Sequence, residues 1–311
     1  MIHLRYRRMQ QFVGRTLLLS MARWAHVIPR RAVGALGAML GMLVMAGSPR
    51  HRRIVMDNLR TAFGDEKSEL ELRVIARRFY RNFARGLIEF LRMPAMGARE
   101  IVDANRLQGQ HYIDEALSRG RGVILITAHF GNWETVGARL ALAGYRPLNV
   151  IARDQRDQEV TELLTSLRRH GGLRVIPRDG AIRACMRRLR ANEVLAMLID
   201  QNAGERGVFV DFFGKLASTA AGAAVLAQRT QATVLPIFCV RQPDGIQVGE
   251  IGPPVEIQRT HDLESDIIAN TAIFTKIIEH AVRRRPDHWF WLHRRWKARP
   301  PWERGETEGP S

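Results

Sequence analysis

The chain has 311 residues, 46% of them hydrophobic, and it carries a formal net charge of +17. This much apolar sequence can form a substantial core, arranged as one large α/β domain or as two smaller ones, and we favour one. Only two cysteines occur, Cys185 and Cys239, each in an apolar neighbourhood, which argues against a disulfide framework and fits a reducing environment.

The positive charge is concentrated at the amino terminus. Residues 1–60 contain eleven arginines and one acidic residue, Asp57, so this end accounts for +10 of the total. Residues 32–47 are uncharged, but these 16 residues fall short of the about 20 that cross a membrane. Arginines flank the run on both sides, which fits a shallow interfacial hairpin better than a span. We predict that residues 1–50 are membrane-docking helices; buried helices of a soluble fold are the alternative.

Nucleic acid is the other common partner of so basic a chain. The arginines do not alternate with exposed aromatic residues, and no helix-turn-helix, zinc-finger or RNP-like pattern occurs. No group of histidine, cysteine and carboxylate residues has the spacing of a zinc or iron site. We therefore expect no nucleic acid partner, no metal and no cofactor.

Hydrophobic periodicity predicts a series of helices and strands after residue 50. Helices are predicted at 51–62, 67–91, 109–117, 134–142, 159–170, 181–189, 220–229 and 265–283. Strands are predicted at 122–128, 147–152, 174–176, 194–199, 232–240 and 245–251, with a loop at 209–219. These elements indicate a single α/β domain at residues 51–299, with a central mixed sheet flanked by helices. Residues 300–311 are predicted to form a disordered tail.

The most informative stretch is LITAHFGNWE at residues 125–134. The predicted strand stops just before His129, a turn with Gly131 follows, and Glu134 begins a helix. A neutral imidazole can take a proton from an attacking hydroxyl, and a carboxylate on its other nitrogen fixes the tautomer. The carboxyl ends of strands are also where open α/β sheets bind ligands. The alternative is a core histidine followed by a first-turn glutamate that the helix dipole favours, and spacing alone leaves both open.

Other polar residues stand at the ends of predicted elements. Arg153 ends a strand, and Arg168 lies on the next helix, where its planar fork suits phosphate. Asp200 ends the strand 194–199, and it could orient an arginine, bind a sugar hydroxyl or cap a turn. Ser218 and Thr219 precede a helix whose amino terminus could bind phosphate, although either could instead be a simple N-cap.

Read together, these segments resemble the lysophospholipid acyltransferase superfamily and, within it, the bacterial lipid A acyltransferases that add lauroyl or myristoyl chains to the Kdo-bearing precursor. Residues 129–134, HFGNWE, match the His-x4-Asp/Glu signature in its glutamate form. Three further blocks agree in order and spacing: residues 151–153 with Arg168 and the glycines at 171–172, residues 200–219, and residues 293–300. The resemblance covers nearly the whole chain.

The resemblance implies a glycerol-3-phosphate acyltransferase-like fold on the cytoplasmic face of the bacterial inner membrane. It implies transfer of a fatty acyl chain from acyl carrier protein, or acyl-CoA, to a hydroxyl of a lipid A precursor, with His129 as general base and Glu134 as its orienting partner. The substrate-binding residues that it implies are Asn132, Arg153, Arg168, Asp200, Ser218 and Thr219. The alternatives are a related enzyme with another glycolipid or aminolipid acceptor, such as a phosphatidylinositol mannoside, and a non-catalytic membrane-binding protein.

Overall fold

A computed structural model describes residues 15–155 and 157–303. Helix α1 covers residues 15–25. The other helices are α2 (Arg30–Gly47), α3 (Pro49–Phe63), α4 (Glu69–Arg92), α5 (Ala98–Ala104), α6 (Gln110–Ser118), α7 (Trp133–Leu142), α8 (Gln158–His170), α9 (Ala181–Arg190), α10 (Gly222–Thr230) and α11 (Leu263–Arg284). The strands are β1 (Asn105–Gln108), β2 (Val123–Thr127), β3 (Leu148–Ala152), β4 (Leu173–Pro177), β5 (Val194–Leu198), β6 (Val208–Phe212), β7 (Lys215–Thr219), β8 (Thr233–Arg241) and β9 (Gln247–Ile251).

Seven strands form a central sheet in the order β1-β9-β8-β2-β5-β3-β4. All neighbours are parallel except β8 and β9, which are joined by a short turn and run antiparallel. Helices cover both faces of this sheet, so the central strands β2 and β5 are buried on two sides and have continuous apolar sequences rather than alternating ones. The predicted single α/β domain with a mixed sheet is confirmed.

Strand β2 lies in the middle of the sheet and shows how the core is divided. Ile124 and Ile126 belong to the apolar cluster on one face, and Val123 and Leu125 belong to the cluster on the other. All four side chains are fully buried. Successive strand residues point to opposite faces, so this single strand contacts both halves of the core. The packing on both faces therefore fixes the position of the residues that follow β2.

The loop predicted at residues 209–219 is wrong, because these residues form the antiparallel hairpin of β6 and β7. Phe213 and Gly214 make the two-residue turn, and both have positive φ angles, 59° and 72°, as the tightest hairpin turns require. Asparagine or aspartate usually stands first in such a turn. Because phenylalanine is unusual at this position, the sequence pattern did not predict the hairpin.

The carboxyl-terminal segment at residues 288–296 folds against the turn that carries His129. Phe130 and Trp289 form an antiparallel bridge, and Phe290 N–H donates to the carbonyl oxygen of His129 at 3.0 Å. Trp289 and Trp291 are buried, with 1% and 0% of their surface exposed. The alternation of aromatic and basic residues at 288–296 fits a membrane–water boundary or packing onto the core, and the burial of these indoles shows that they pack into the core.

Helix α2 is the one helix in the described residues that is long and apolar enough to cross a membrane by length and composition. Two of its glycines lie against α4: a Cβ at Gly37 would be 2.6 Å from the Cα of Arg85, and one at Gly41 would be 2.4 Å from the carbonyl oxygen of Tyr80. The opposite face exposes Met39 and Leu43. One face of α2 is thus fixed to the domain while the other is apolar and open.

Parts of two sequence predictions lie outside the described residues. These are residues 1–14 of the predicted docking segment and residues 304–311 of the predicted tail. The beginning of that tail is ordered, since Pro301–Glu303 forms a 3-10 turn and Arg299 forms an ion pair with Glu303.

The close contact at Gly41 can be tested with a single methyl group. We expect Gly41→Ala to lower the free energy of unfolding by about 1–3 kcal/mol, the usual cost of overpacking, because the methyl meets backbone atoms. Gly47→Ala is the matched control, since a Cβ there would meet nothing within 4 Å; it should be neutral or stabilising by up to about 1 kcal/mol. Urea unfolding of the detergent-solubilised protein measures both. Equal effects would contradict the close packing of α2 on α4.

Candidate active site

The register of β2 and β5 brings His129 and Asp200 together. Thr127 is paired with Leu198 in these parallel strands, so the residues two positions further along lie level with each other at the carboxyl edge of the sheet. Nδ1 of His129 lies 2.8 Å from Oδ1 of Asp200, and the backbone N–H of His129 donates to Oδ2 at 3.0 Å. One carboxylate thus fixes both the ring and the backbone of the histidine.

Asp200 is 3% exposed, and its charge is maintained by hydrogen bonds. Burial by itself raises the pKa of this carboxyl, but the charge of His129 and hydrogen bonds from His129 and Trp289 outweigh burial and hold the pKa below its usual value. The indole N–H of Trp289 donates to Oδ2 at 2.8 Å. Because Asp200 is ionised, it acts only as an acceptor, and Nδ1 of His129 carries the proton between them.

The other ring nitrogen of His129 faces a partly open space. The side chain is 22% exposed, and Nε2 lies 3.3 Å from the amide nitrogen of Gln201. Trp133 packs edge-on against the ring with 5.0 Å between centroids, and Phe290 lies 6.0 Å away on the same measure. With its proton on Nδ1, the imidazole presents an unprotonated Nε2 that can accept a proton from a substrate hydroxyl.

Glu134 does not make the predicted contact with His129. Its carboxylate is paired with Arg168, whose Nε donates at 3.2 and 3.1 Å and whose NH2 donates at 2.6 Å. Glu134 lies in the first turn of α7, and this turn directs it towards the last turn of α8. The orienting hydrogen bond therefore belongs to Asp200, which the sequence analysis had placed among the substrate-binding residues.

The two predicted substrate arginines differ in their surroundings. Burial opposes the charge of Arg168, but the charge of Glu134 and its hydrogen bonds raise the pKa of the guanidinium above its usual value. Arg153 immediately follows β3 and is exposed at the carboxyl edge of the sheet. Substrate binding by Arg153 and Arg168 stays a prediction. Of these two, Arg153 is the one whose guanidinium has no hydrogen bond or ion pair to another described residue.

Asn132 serves as the N-cap of α7 and links that helix to α4. Its side-chain oxygen accepts from the N–H of Thr135 at 3.3 Å, and its amide nitrogen donates to the carbonyl oxygen of Gly86 at 3.3 Å and to Glu89 at 2.8 Å. The residue is 3% exposed. The amide is hydrogen-bonded to other groups of the protein, so these contacts stabilise the packing of α7 on α4.

Ser218 and Thr219 lie at the end of β7 and not at a helix terminus, because α10 begins only at Gly222. Both are fully buried. The hydroxyl of Ser218 donates to the carbonyl oxygen of Gly204 at 2.5 Å, and Thr219 accepts from Arg295 at 2.5 Å. Neither residue stands at the helix start where a phosphate site is predicted, and their hydroxyls support the loop behind the active site. Substrate binding by Ser218 and Thr219 stays a prediction.

Arg295 is a buried cation, 1% exposed, beneath the same loop. It donates to the carbonyl oxygen of Gln201 at 3.3 Å and to that of Ser218 at 2.5 Å, and its guanidinium lies 5.2 Å from the ring centre of Phe212. Burial lowers the pKa of Arg295 to about 10, and the charge of Asp200 opposes this shift. The arginine remains cationic at neutral pH and ties β7 to the residue after Asp200.

His293 is the second histidine near Asp200. Its Nε2 accepts from the backbone N–H of Asn202 at 2.8 Å, which requires the neutral ring. Burial lowers the pKa of His293 to about 4; the charges of His129 and Arg295 act in the same direction, and Asp200 opposes them. His293 therefore stays neutral and holds the loop that follows Asp200.

Comparison with known proteins identifies the family. A family model described as bacterial lipid A biosynthesis acyltransferase matches residues 3–298. The chain belongs to the bacterial lipid A biosynthesis acyltransferase family. It is 28% identical to the lipid A biosynthesis lauroyltransferase of Escherichia coli K12 over 275 residues, which are 88% of each chain. It is also 26% identical to the palmitoleoyltransferase of that strain, over 88% of this chain and 87% of the relative.

A phosphatidylinositol mannoside acyltransferase of Mycolicibacterium smegmatis is similar as well, 26% identical over 70% of each chain. The relatives are named acyltransferases, so this chain is an acyltransferase too. In this acyltransferase, the supporting roles of Trp289 and Arg295 are not predicted by the sequence. The signal for both was a run of aromatic and basic residues near the carboxyl terminus, and the sequence alone did not decide between a membrane boundary and the core.

The buried state of His293 predicts a stability that depends on pH. Between its ordinary pKa of 6.5 and its folded pKa of about 4, the unfolded chain binds a proton that the folded chain does not. The free energy of unfolding should therefore fall as pH falls through this window. We expect His293→Gln, which keeps an acceptor without a titrating ring, to lose less stability between about pH 7 and pH 5 than the unaltered protein.

Urea unfolding at the two pH values measures this difference. His280→Gln is the control, since His280 is exposed on α11, and it should leave the pH dependence unchanged. If His293→Gln and the unaltered protein show the same dependence, His293 does not contribute to it.

The pair of Glu134 and Arg168 can be tested by a double-mutant cycle. Their side chains are 9% and 20% exposed, so we expect Glu134→Gln and Arg168→Gln each to lower the free energy of unfolding by about 1.5–3 kcal/mol. The double variant should lose less than the sum, because neither charge is left unpaired. Arg60 and Glu69 form a matched but exposed bidentate pair, whose coupling should be much smaller because solvent screens it. Additive losses at Glu134 and Arg168 would contradict the pairing.

Proposed function

We propose that this chain transfers a fatty acyl group from an acyl thioester to a hydroxyl of a lipid A precursor in lipopolysaccharide biosynthesis. The observation that carries this proposal is the hydrogen bond between His129 and the buried carboxylate of Asp200, at the open edge of the sheet. A histidine held in one tautomer, with its other nitrogen accessible, has the geometry of a general base.

In the proposed reaction, Nε2 of His129 takes the proton of the acceptor hydroxyl as its oxygen attacks the thioester carbonyl carbon. Asp200 remains ionised and stabilises the imidazolium that forms. Collapse of the tetrahedral intermediate breaks the carbon–sulfur bond, and His129 returns the proton to the leaving thiolate. An ester and a free thiol are produced. The contact between Nε2 and Gln201 is weak enough for a substrate hydroxyl to displace it.

Acyl carrier protein is the proposed donor, with acyl-CoA as the other thioester that the same chemistry could use. Acyl carrier proteins are strongly acidic, and the chain has a net charge of +17. Charge complementarity of this kind accelerates encounter and favours the correct partner. An exposed arginine at the edge of the active site, such as Arg153, suits the phosphate that both donors carry.

Two acceptor classes deserve a direct comparison. Two relatives that align with 88% of this chain are named for lipid A biosynthesis, which supports a lipid A precursor as the acceptor. The similarity to a phosphatidylinositol mannoside acyltransferase supports a second candidate, another glycolipid with a free hydroxyl. Both reactions would use the same histidine and the same aspartate.

Docking to the cytoplasmic face of the bacterial inner membrane is part of this proposal. Helix α2 packs through Gly37 and Gly41 against α4, which belongs to the core of the domain. Its opposite face exposes Met39 and Leu43. A helix that is buried along one side and apolar along the other suits the plane of the interface, where the neighbouring arginines meet lipid phosphates.

The decisive experiment supplies the purified full-length protein with an acyl thioester and each acceptor in detergent, and it follows free thiol release and product mass. We expect His129→Ala and Asp200→Asn to lower kcat by about 10²–10⁴, since they remove the base and its orienting acceptor. His261→Ala and Asp65→Asn are the controls. They alter exposed residues distant in sequence from His129 and Asp200 and should retain full activity.

The acceptor is identified by which glycolipid gains one acyl chain. Mass spectrometry of lipid A from a deletion strain, complemented with the unaltered gene or with Asp200→Asn, gives the same answer in cells. If a gene encoding His129→Ala restored the missing acyl chain of lipid A as well as the unaltered gene does, the protein would act without catalysis by this site, and the proposal would be wrong.

A further inference from the structure

A cavity of about 690 Å³ lies beneath the amino terminus of α2, away from the histidine site. Helices α4 and α5, the strands β1 and β9, the turn before β9 and the start of α7 complete its wall. Four arginines contribute to this wall: Arg30, Arg31, Arg85 and Arg92. Neither His129 nor Asp200 lines it. We call it the α2 cavity, and its volume falls in the range of small-molecule sites.

The deeper arginines of the α2 cavity are partly neutralised. Glu89 is shared between Arg85 at 3.0 Å and Arg241 at 2.6 Å, so a single carboxylate faces two guanidinium groups. Arg92 donates through NH1 to Glu100 at 3.0 Å, while its Nε is buried without a hydrogen-bond partner in the described residues. Burial and the charge of Arg241 lower the pKa of Arg85. Positive charge is therefore in excess at this depth.

The arginines at the mouth of the cavity are freer. Arg30 donates to the carbonyl oxygen of Asp103 at 3.3 Å, and Arg31 is exposed, with no hydrogen bond or ion pair to any residue that the structure describes. The remaining acidic residue of the wall, Asp244, accepts from the backbone N–H of Ile246 at 2.9 Å. Each acidic side chain of the wall is thus engaged, whereas cationic donors remain available.

Gln247 supplies an independent sign of a polar ligand. It is 2% exposed, and both polar atoms of its side chain are buried without a hydrogen-bond partner in the described part of the chain. It lies two residues before Gly249 in β9, where a Cβ would be 2.7 Å from Cγ1 of Val136 in α7. Alternate strand residues share a face, so Gln247 points to the side of the sheet on which Thr135 lines the cavity. A buried amide without partners is costly unless something binds it.

We propose that the α2 cavity binds a phosphate group, carried by a lipid headgroup or free in solution. Guanidinium forks bind phosphate oxygens bidentately, and the amide nitrogen of Gln247 can donate one more hydrogen bond. The mouth lies at the start of the same helix that exposes Met39 and Leu43, so a headgroup phosphate at a membrane surface is within its reach. None of its wall residues hydrogen-bonds to His129 or Asp200 among the described residues, so the site is separate from the pair proposed for acyl transfer.

The test is the thermal unfolding of the full-length protein in neutral detergent, titrated with three probes at constant ionic strength. The probes are inorganic phosphate, dihexanoyl phosphatidic acid and dihexanoyl phosphatidylcholine. We expect a saturable rise of the unfolding midpoint with at least one of the first two probes. Arg31→Gln and Gln247→Leu should each raise the apparent Kd by about tenfold, as expected for one lost charge-assisted hydrogen bond.

Arg53→Gln is the matched control, since it removes the same charge from an exposed position on α3 and should bind as the unaltered protein does. Arg31 is exposed, so its variant gives a valid result even if Gln247→Leu disturbs β9. A response to inorganic phosphate supports a soluble source, and a response to phosphatidic acid alone supports a lipid headgroup. No saturable response, an equal response to phosphatidylcholine, or equal weakening by Arg53→Gln would overturn the proposal.

Discussion

The parallel pairing of β2 with β5 determines where the chemistry of this protein takes place. Two strands of equal length in a fixed register end at the same level, so His129 and Asp200 meet at one edge of the sheet although 71 positions separate them in the chain. Both strands are buried, which prevents a slip of register because a shift by one residue would turn every side chain to the opposite face. The core therefore sets the geometry of the site.

The carboxyl-terminal segment completes that geometry from the other side. Trp289 donates to the same carboxylate that orients His129, and Arg295 and His293 hold the loop after Asp200 through its backbone. A buried cation and a buried neutral histidine would each be costly alone, but both satisfy backbone groups that water cannot reach. Residues 289–295 are thus part of the site.

Helix α7 separates two arginine and glutamate networks with different surroundings. Towards α8, Glu134 is matched by a single arginine, Arg168, and the pair is closed. Towards α4, Glu89 has two arginines and an asparagine around it, and an open cavity lies next to them. The first network joins helices, whereas the second leaves cationic groups directed at space that a ligand can fill.

The sequence by itself determined the fold class, the order and bounds of most elements, and the position of His129 at the end of a buried strand. These features are local: continuous apolar runs, helical periodicity, and a glycine at position 131, where the backbone turns with a positive φ of 61°. The sequence also places His129 and Asp200 at the ends of two predicted strands. Because the carboxyl ends of parallel strands share one edge of the sheet, this pattern indicates a site at that edge.

Only the tertiary structure decided which carboxylate serves the histidine. Glu134 is closer in the sequence, but the first turn of α7 directs it to Arg168, while strand pairing brings Asp200 to Nδ1. The hairpin of β6 and β7, the burial of Ser218 and Thr219, and the packing of Trp289 depend in the same way on partners distant in the chain. Local patterns define elements because their causes are local; a site made of side chains from separate strands depends on long-range register, which a single sequence does not display.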